Sequence, residues 1–166
     1  MYEFPFFRGQ KGFAGRVFGG WEASGILSAY SGSPLGITQT PNNTSSLGGG
    51  QRPNWSGQSA VLSSPTVNRW FDTSQFTVAA PYRFGNVART LGGLRSDGVK
   101  GLDFTLSKAT IIHERYRLQF RAECFNLTNT PIFGIPNTSL GTAAFGTINS
   151  QNNQPRIVQF ALKFLF

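Results

Sequence analysis

The residues with the most obvious capacity for chemistry are few and far apart. The chain has one His, His113, and one Cys, Cys124. Protein metal sites draw on three or four such ligands, so one of each is too few to build one. Cys124 has no partner for an internal disulfide. Its neighbours alternate like a strand, which gives it the place of a small apolar side chain. Gly48-Gly-Gly50 lacks the Lys-Ser/Thr that would turn a glycine run into a phosphate-binding loop. The Asn-x-Ser/Thr triplets at Asn43, Asn54, Asn126 and Asn137 are what a chain rich in Asn, Ser and Thr produces by chance. No pair of acids and no nucleophile with a base is present. The expectation is a protein that is not an enzyme and takes no cofactor or metal. The balance of 15 Lys and Arg against 7 Asp and Glu gives a net charge of +8. The basic residues are scattered rather than clustered, so a nucleic-acid partner is not expected.

One set of polar residues is organised. In Tyr116-Arg-Leu-Gln-Phe-Arg-Ala-Glu-Cys124, Arg117, Gln119, Arg121 and Glu123 occupy every second position. Tyr116, Leu118, Phe120, Ala122 and Cys124 fill the positions between them. A strand sends alternate side chains to opposite faces, so this segment has one charged face and one apolar face. Such a charged face is too polar for a packed core. It suits a water-filled lumen, where the charges pair with one another or meet solvent.

The elements that must position these residues have the same character. Arg156-Ile-Val-Gln-Phe-Ala-Leu-Lys-Phe-Leu-Phe166 is 11 residues long, close to the 9–11 or so that cross a bilayer as a tilted strand. Val158, Phe160, Leu162, Phe164 and Phe166 share one wholly apolar face, and the other face is mixed. Gly101-Leu-Asp-Phe-Thr-Leu-Ser-Lys108 alternates too, with Leu102, Phe104 and Leu106 on one side. The short stretch Ile111-Ile-His-Glu-Arg115, which includes His113, reads as a hairpin turn. Trp21-Glu-Ala-Ser-Gly-Ile-Leu-Ser-Ala-Tyr30 is a further strand, and Tyr2 to Phe7 reads as the tail of another. Trp21, Tyr30 and Tyr116 sit at strand ends, where aromatic girdles meet membrane interfaces. No run of about 18 apolar residues exists for a membrane helix. Charged residues are 13% of the chain, with 16 Phe and 20 Gly, against about 25% charged in soluble domains. The fold class expected is all-β, an antiparallel transmembrane β-barrel fragment.

Connection lengths alternate. Residues 7–20 and 109–115 are short links, whereas 31–99 and 129–155 are long and rich in Gly, Asn, Ser, Thr and Pro. Outer-membrane barrels join strands by short periplasmic turns and long extracellular loops. A periplasmic C-terminus would put both long segments outside the cell. The opening Met-Tyr-Glu-Phe-Pro-Phe-Phe-Arg has no basic stretch leading into an apolar one. An outer-membrane protein needs such a signal, so upstream sequence is expected to be missing.

Several motifs together resemble the C-terminal end of TonB-dependent outer-membrane transporters, most closely the Oar-like group with its carboxypeptidase-regulatory-like domain. They are Gly19-Gly-Trp-Glu-Ala-Ser-Gly-Ile26 with Tyr30-Ser-Gly-Ser-Pro-Leu35, and Trp70-Phe-Asp-Thr-Ser-Gln-Phe76 with Phe84-Gly-Asn86. To these add Leu118-Gln-Phe-Arg-Ala-Glu-Cys-Phe-Asn-Leu-Thr-Asn-Thr-Pro131 with Phe133-Gly134, and the terminal Phe166. Cys124 stands where the group more usually has a bulky apolar residue. The resemblance implies that residues 1–166 are the last four strands and a stub of a barrel of about 22 strands, located in the cell outer membrane and engaged in active uptake of a large substrate. It implies that the plug and the segment contacting TonB lie upstream. The partners would be outer-membrane lipid and the barrel-assembly machinery, which would read Val158, Phe160, Leu162, Phe164 and Phe166 as its signal. Two other readings fit parts of the sequence. One is a porin-like barrel. The other is a soluble β-sandwich that binds carbohydrate, with Trp21, Trp55 and Trp70 as stacking platforms.

Overall fold

Period-2 alternation commits much of the chain to strands, and the computed structural model, which describes residues 1–45, 50–113 and 116–166, joins them into one five-stranded sheet. Its strands are β1 (Tyr2–Glu3), β2 (Trp21–Tyr30), β3 (Val99–His113), β4 (Tyr116–Phe125) and β5 (Ile157–Leu165). Spatial order equals chain order, so the sheet is a meander, with β1 and β5 at its open edges. Strand β4 pairs antiparallel with β3 from Phe104↔Cys124 to His113↔Tyr116. On its other side β4 pairs antiparallel with β5 from Arg117↔Leu165 to Phe125↔Ile157. Tyr2 and Glu3 pair with Ala23 and Glu22.

The bounds differ from the sequence expectation in instructive ways. Strand β3 runs on past Lys108 to His113, because Thr110, Ile111 and Ile112 are β-branched and continue the pleat. His113 therefore ends a strand opposite Tyr116 instead of lying in a turn, and Glu114 and Arg115 of the expected turn lie outside the described residues. Strand β1 is short. Phe4 still donates its N–H to the Trp21 carbonyl at 3.0 Å, but Pro5 has no N–H to extend the ladder. Helix α1 (Gly12–Phe18), in the β1–β2 link, was not expected. With glycine at two of its seven positions it has poor intrinsic propensity.

The chain leaves the sheet after Tyr30 and after Phe125, and returns at Val99 and Ile157. In an antiparallel meander these four points share one end of the sheet. The link holding α1, the end of β3 and the start of β4 share the other end. No described helix is long and apolar enough to cross a membrane.

The long connections are more ordered than their composition suggests. Tyr30–Val99 and Ile132–Asn153 form a second compact unit. Leu35, Ile37, Ala60, Phe71, Phe76, Val87 and Leu94 make its core. Phe71, Phe76 and Phe145 meet edge to face, with centroids 5.3–6.1 Å apart, the arrangement that ring quadrupoles favour. Short pairs brace it, such as Pro34–Leu35 with Leu91–Arg95 and Asn54–Trp55 with Phe76–Thr77. Two glutamines are buried, yet both are satisfied. Gln39 donates to Gln51 Oε1 at 3.0 Å and accepts from the Ala79 N–H at 2.7 Å, while Gln51 donates to the Arg83 carbonyl at 2.9 Å. Among the described residues no buried side-chain polar atom lacks a partner, as burial requires.

Candidate functional site

The two faces of the sheet follow from the register. Cross-strand rows on one face are Phe104–Cys124–Val158, Leu106–Ala122–Phe160, Lys108–Phe120–Leu162 and Thr110–Leu118–Phe164. Rows on the other are Thr105–Glu123–Gln159, Ser107–Arg121–Ala161, Ala109–Gln119–Lys163 and Ile111–Arg117–Leu165. The first is apolar but for Lys108 and Thr110. The second gathers nearly all the charge of these strands. Strand β2 joins both: Trp21 lies under the Lys108 ammonium, 5.0 Å from ring centroid to Nζ, and Glu22 accepts from Ser107 at 3.3 Å.

The apolar face is bare. Phe160, Leu162, Phe164 and Val158 are 50–71% exposed. A monomer in water rarely shows so continuous an apolar patch, and such a patch marks an interaction surface. Aromatic pairs tie its rows together: Phe120–Phe160 at 6.1 Å, Tyr116–Phe164 at 5.7 Å and Trp21–Phe120 at 6.5 Å.

On the polar face Glu123 accepts from Arg121 at 3.4 Å and from Gln159 across the β4–β5 pair. Arg117 and Lys163 have no ion-pair partner among the described residues. The face carries three cations, Arg117, Arg121 and Lys163, against three acids, Glu22, Asp103 and Glu123, and is charged without a net excess of either sign.

The expected assembly residues lie as follows. Val158, Phe160, Leu162 and Phe164 stand opposite Cys124, Ala122, Phe120 and Leu118 on edge strand β5. Phe166 lies just past the strand, 94% exposed, with its ring 6.3 Å from Phe164. Of the expected interface aromatics, Trp21 and Tyr116 share the apolar face at one end of the sheet. Alternation along β2 gives Tyr30 the opposite face, that of Glu22, at the other end. The apolar face thus carries Trp21 and Tyr116 without Tyr30, because an even number of residues spans Trp21 to Tyr30.

Some organising residues were not singled out from the sequence. Lys108 shares parity with Leu102, Phe104 and Leu106, and that oddity was its visible signal. Its ammonium donates to the carbonyls of Val17 at 2.9 Å and Gly19 at 2.6 Å. It satisfies orphan acceptors at the end of α1 while resting on Trp21. Gln10 acts at the edge of β3 just beyond the start of β2: its Nε2 donates to the Ala109 carbonyl at 2.7 Å, and its Oε1 accepts from the Ile111 N–H at 3.1 Å. Gly20 adopts φ +72°, and a Cβ there would run into the Ala109 carbonyl. Asn126 and Asn129, both at φ +50°, shape the exit from β4. Asn126 Oδ1 accepts from the Thr130 N–H at 3.0 Å, and Asn129 Oδ1 from the Arg156 N–H at 3.1 Å.

In the second unit, Trp55 donates to the Gln58 carbonyl and Trp70 to the Arg95 carbonyl, each at 2.8 Å. Both also pack against the core. Asp72 accepts from Gln75 at 2.8 Å, Ser74 Oγ at 2.9 Å and Arg69 at 2.8 Å. The hydrogen bonds from Gln75 and Ser74, then that from Arg69, hold its carboxyl down at about 2. Among the described residues no three His, Cys, Asp or Glu gather to hold a metal ion.

Residues 1–159 match the family model described as an outer membrane beta barrel domain. No curated protein and no solved structure matches the chain.

Proposed function

Since the chain belongs to the outer membrane beta barrel domain family and its place is the outer membrane, we propose that its sheet is a segment of the barrel wall of a TonB-dependent transporter. The apolar face meets lipid and the charged face lines the lumen. The observation that carries the wall reading is the register: three adjacent strands, β3, β4 and β5, sort their side chains into an apolar face and a charged one, with both edges of the sheet unpaired. Barrels remove such edges by closing the sheet on itself, so further strands of the same barrel would flank β1 and β5.

Uptake energised through TonB rests on the motifs, which have structural work to do. Phe71 and Phe76 of Trp70-Phe-Asp-Thr-Ser-Gln-Phe76 are core residues, Asp72 caps the turn between them, and Asn86 binds both backbone groups of Trp55. The second unit would then be the extracellular loop assembly, and the end of the sheet holding α1 would be periplasmic.

The test is site-specific crosslinking of TonB to the full-length protein in energised cells, with heat-modifiable mobility as the measure of a folded barrel. A TonB adduct that needs the proton-motive force supports the transporter. A folded, inserted barrel without an adduct would leave a porin-like wall instead.

A further inference from the structure

The charges of the sheet's polar face cancel in number but are sorted along the strands. At the α1 end, the rows Ile111–Arg117–Leu165, Ala109–Gln119–Lys163 and Ser107–Arg121–Ala161 hold all three cations. Glu123 and Asp103 follow toward the opposite end, and β3 stands between Glu22 and strands β4 and β5. Each acid is engaged. Glu123 accepts from Arg121 on one carboxylate oxygen and from Gln159 on the other, Asp103 accepts from the Asn126 N–H at 2.8 Å, and Glu22 accepts from Ser107 at 3.3 Å. Gln119, Arg121, Ala161 and Lys163 line a pocket of about 240 Å³. The register explains it. Lys163 stands directly across from Gln119 and diagonally from Arg121, while the position opposite Arg121 is only an alanine, so longer side chains rise around a gap. Diagonal neighbours in such a pair are about 7–8 Å apart, within reach of long side chains.

We propose that this pocket binds an oxyanion, the carboxylate or phosphate group of a solute in the lumen. The proposal rests on the wall reading above and names the class of solute that such a wall would receive. A guanidinium presents a flat fork of N–H donors that matches two oxygens of such a group, and an ammonium adds a compact charge. The Arg121–Glu123 contact, at 3.4 Å, engages one of the five guanidinium N–H donors. Gln119 supplies an amide donor between the two cations. Lys163 and Arg121 repel one another across a pocket that holds only water, and an anion between them turns both contacts attractive. A neutral or cationic solute would give neither of them a counter-charge. Rings of Arg and Lys serve the same purpose in pores that select anions and phosphate.

The experiment uses the full-length protein with Cys124→Ala in native outer membranes, with heat-modifiable mobility as the check of a folded barrel. Ala161→Cys places a thiol in the pocket, and Gln159→Cys places one beside Glu123 for comparison. Each is treated with an anionic and with a cationic methanethiosulfonate of similar size. The anionic reagent should react faster at position 161, and that preference should vanish or reverse at 159. A unit charge about 4 Å away is worth about fivefold in water, so Lys163→Gln and Arg121→Gln should each slow the anionic reagent at 161 by about that factor. Inorganic phosphate should protect 161 more than chloride at equal ionic strength, and Lys163→Gln should remove the difference. Equal rates for the two reagents at a reactive 161, or phosphate no better than chloride, would overturn the anion site alone. A folded barrel in which 161 reacts with neither reagent would overturn the reading of this face as the lumen wall, and the site with it.

Discussion

Phe71→Ala offers the sharpest perturbation of the second unit. Phe71 is fully buried and touches Phe76 and Phe145 edge to face. Truncating such a residue costs about 3–5 kcal/mol, from lost transfer energy and the cavity left behind. Domains hold only about 5–15 kcal/mol in total, so the change removes a large share of the unit's reserve. Each 1.4 kcal/mol or so is a factor of ten in an equilibrium. Opening of the unit should therefore become a hundredfold to several thousandfold more frequent, roughly speaking. Hydrogen exchange on the full-length protein in outer-membrane vesicles reads this directly. Amides in residues 30–99 and 132–153 should exchange faster by that factor, while those paired between β4 and β5 stay unchanged. Unaltered exchange around Phe71 would refute a packed core in the long connections. Equal acceleration in β4 and β5 would refute the division into two units.

Further expectations concern single groups. The Asp72 carboxyl titrates at about 2, below its ordinary value near 3.8; a carboxyl depressed on folding stabilises the fold above its unfolded value, and that contribution fades as pH falls through the folded one. Protection of residues 69–76 from exchange should thus decline between about pH 4 and 2, and Asp72→Asn should flatten that decline; equal decline in both proteins would mean that other groups govern it. Gln10→Leu strips the Ala109 carbonyl and the Ile111 N–H of their partner, a cost of about 1–3 kcal/mol; the Ile111 amide should exchange faster while Leu118 does not, and an unchanged Ile111 would show that Gln10 is not its acceptor in the membrane. Deletion of Phe166 should lower the amount of barrel in the outer membrane and leave uptake per inserted molecule unaltered, since an insertion machine can add a strand to an edge such as β5. Normal insertion with impaired uptake would give Phe166 another task.

The sheet was legible in the sequence because a two-faced strand has to alternate. Arg117, Gln119, Arg121 and Glu123 could occupy every second position only if their face were wet. The antiparallel pairing of the last three strands followed from one short and one long link. The polypeptide between strands was far less legible. Its core uses residues such as Phe71, Phe76 and Val87, which obey no period because the backbone joining them is irregular. Helix α1 was invisible for a related reason: Gly12 and Gly15 speak against a helix, and what holds it is tertiary, the contacts of Lys108 and Gln10. Tyr30 shows the limit of reading strand ends. A position at an end gives an aromatic the right height, but parity decides which face it serves.

A cysteine accessibility scan along β5 tests the two-faced wall most directly. In the full-length protein with Cys124→Ala, each residue from Ile157 to Leu165 is replaced by cysteine in turn. Native outer membranes are then exposed to a small membrane-impermeant maleimide. Positions 157, 159, 161, 163 and 165 should react, and 158, 160, 162 and 164 should react only with a lipid-soluble reagent. Uniform reactivity, or the reverse alternation, would contradict a wall with lipid on the face of Phe160 and water on the face of Lys163.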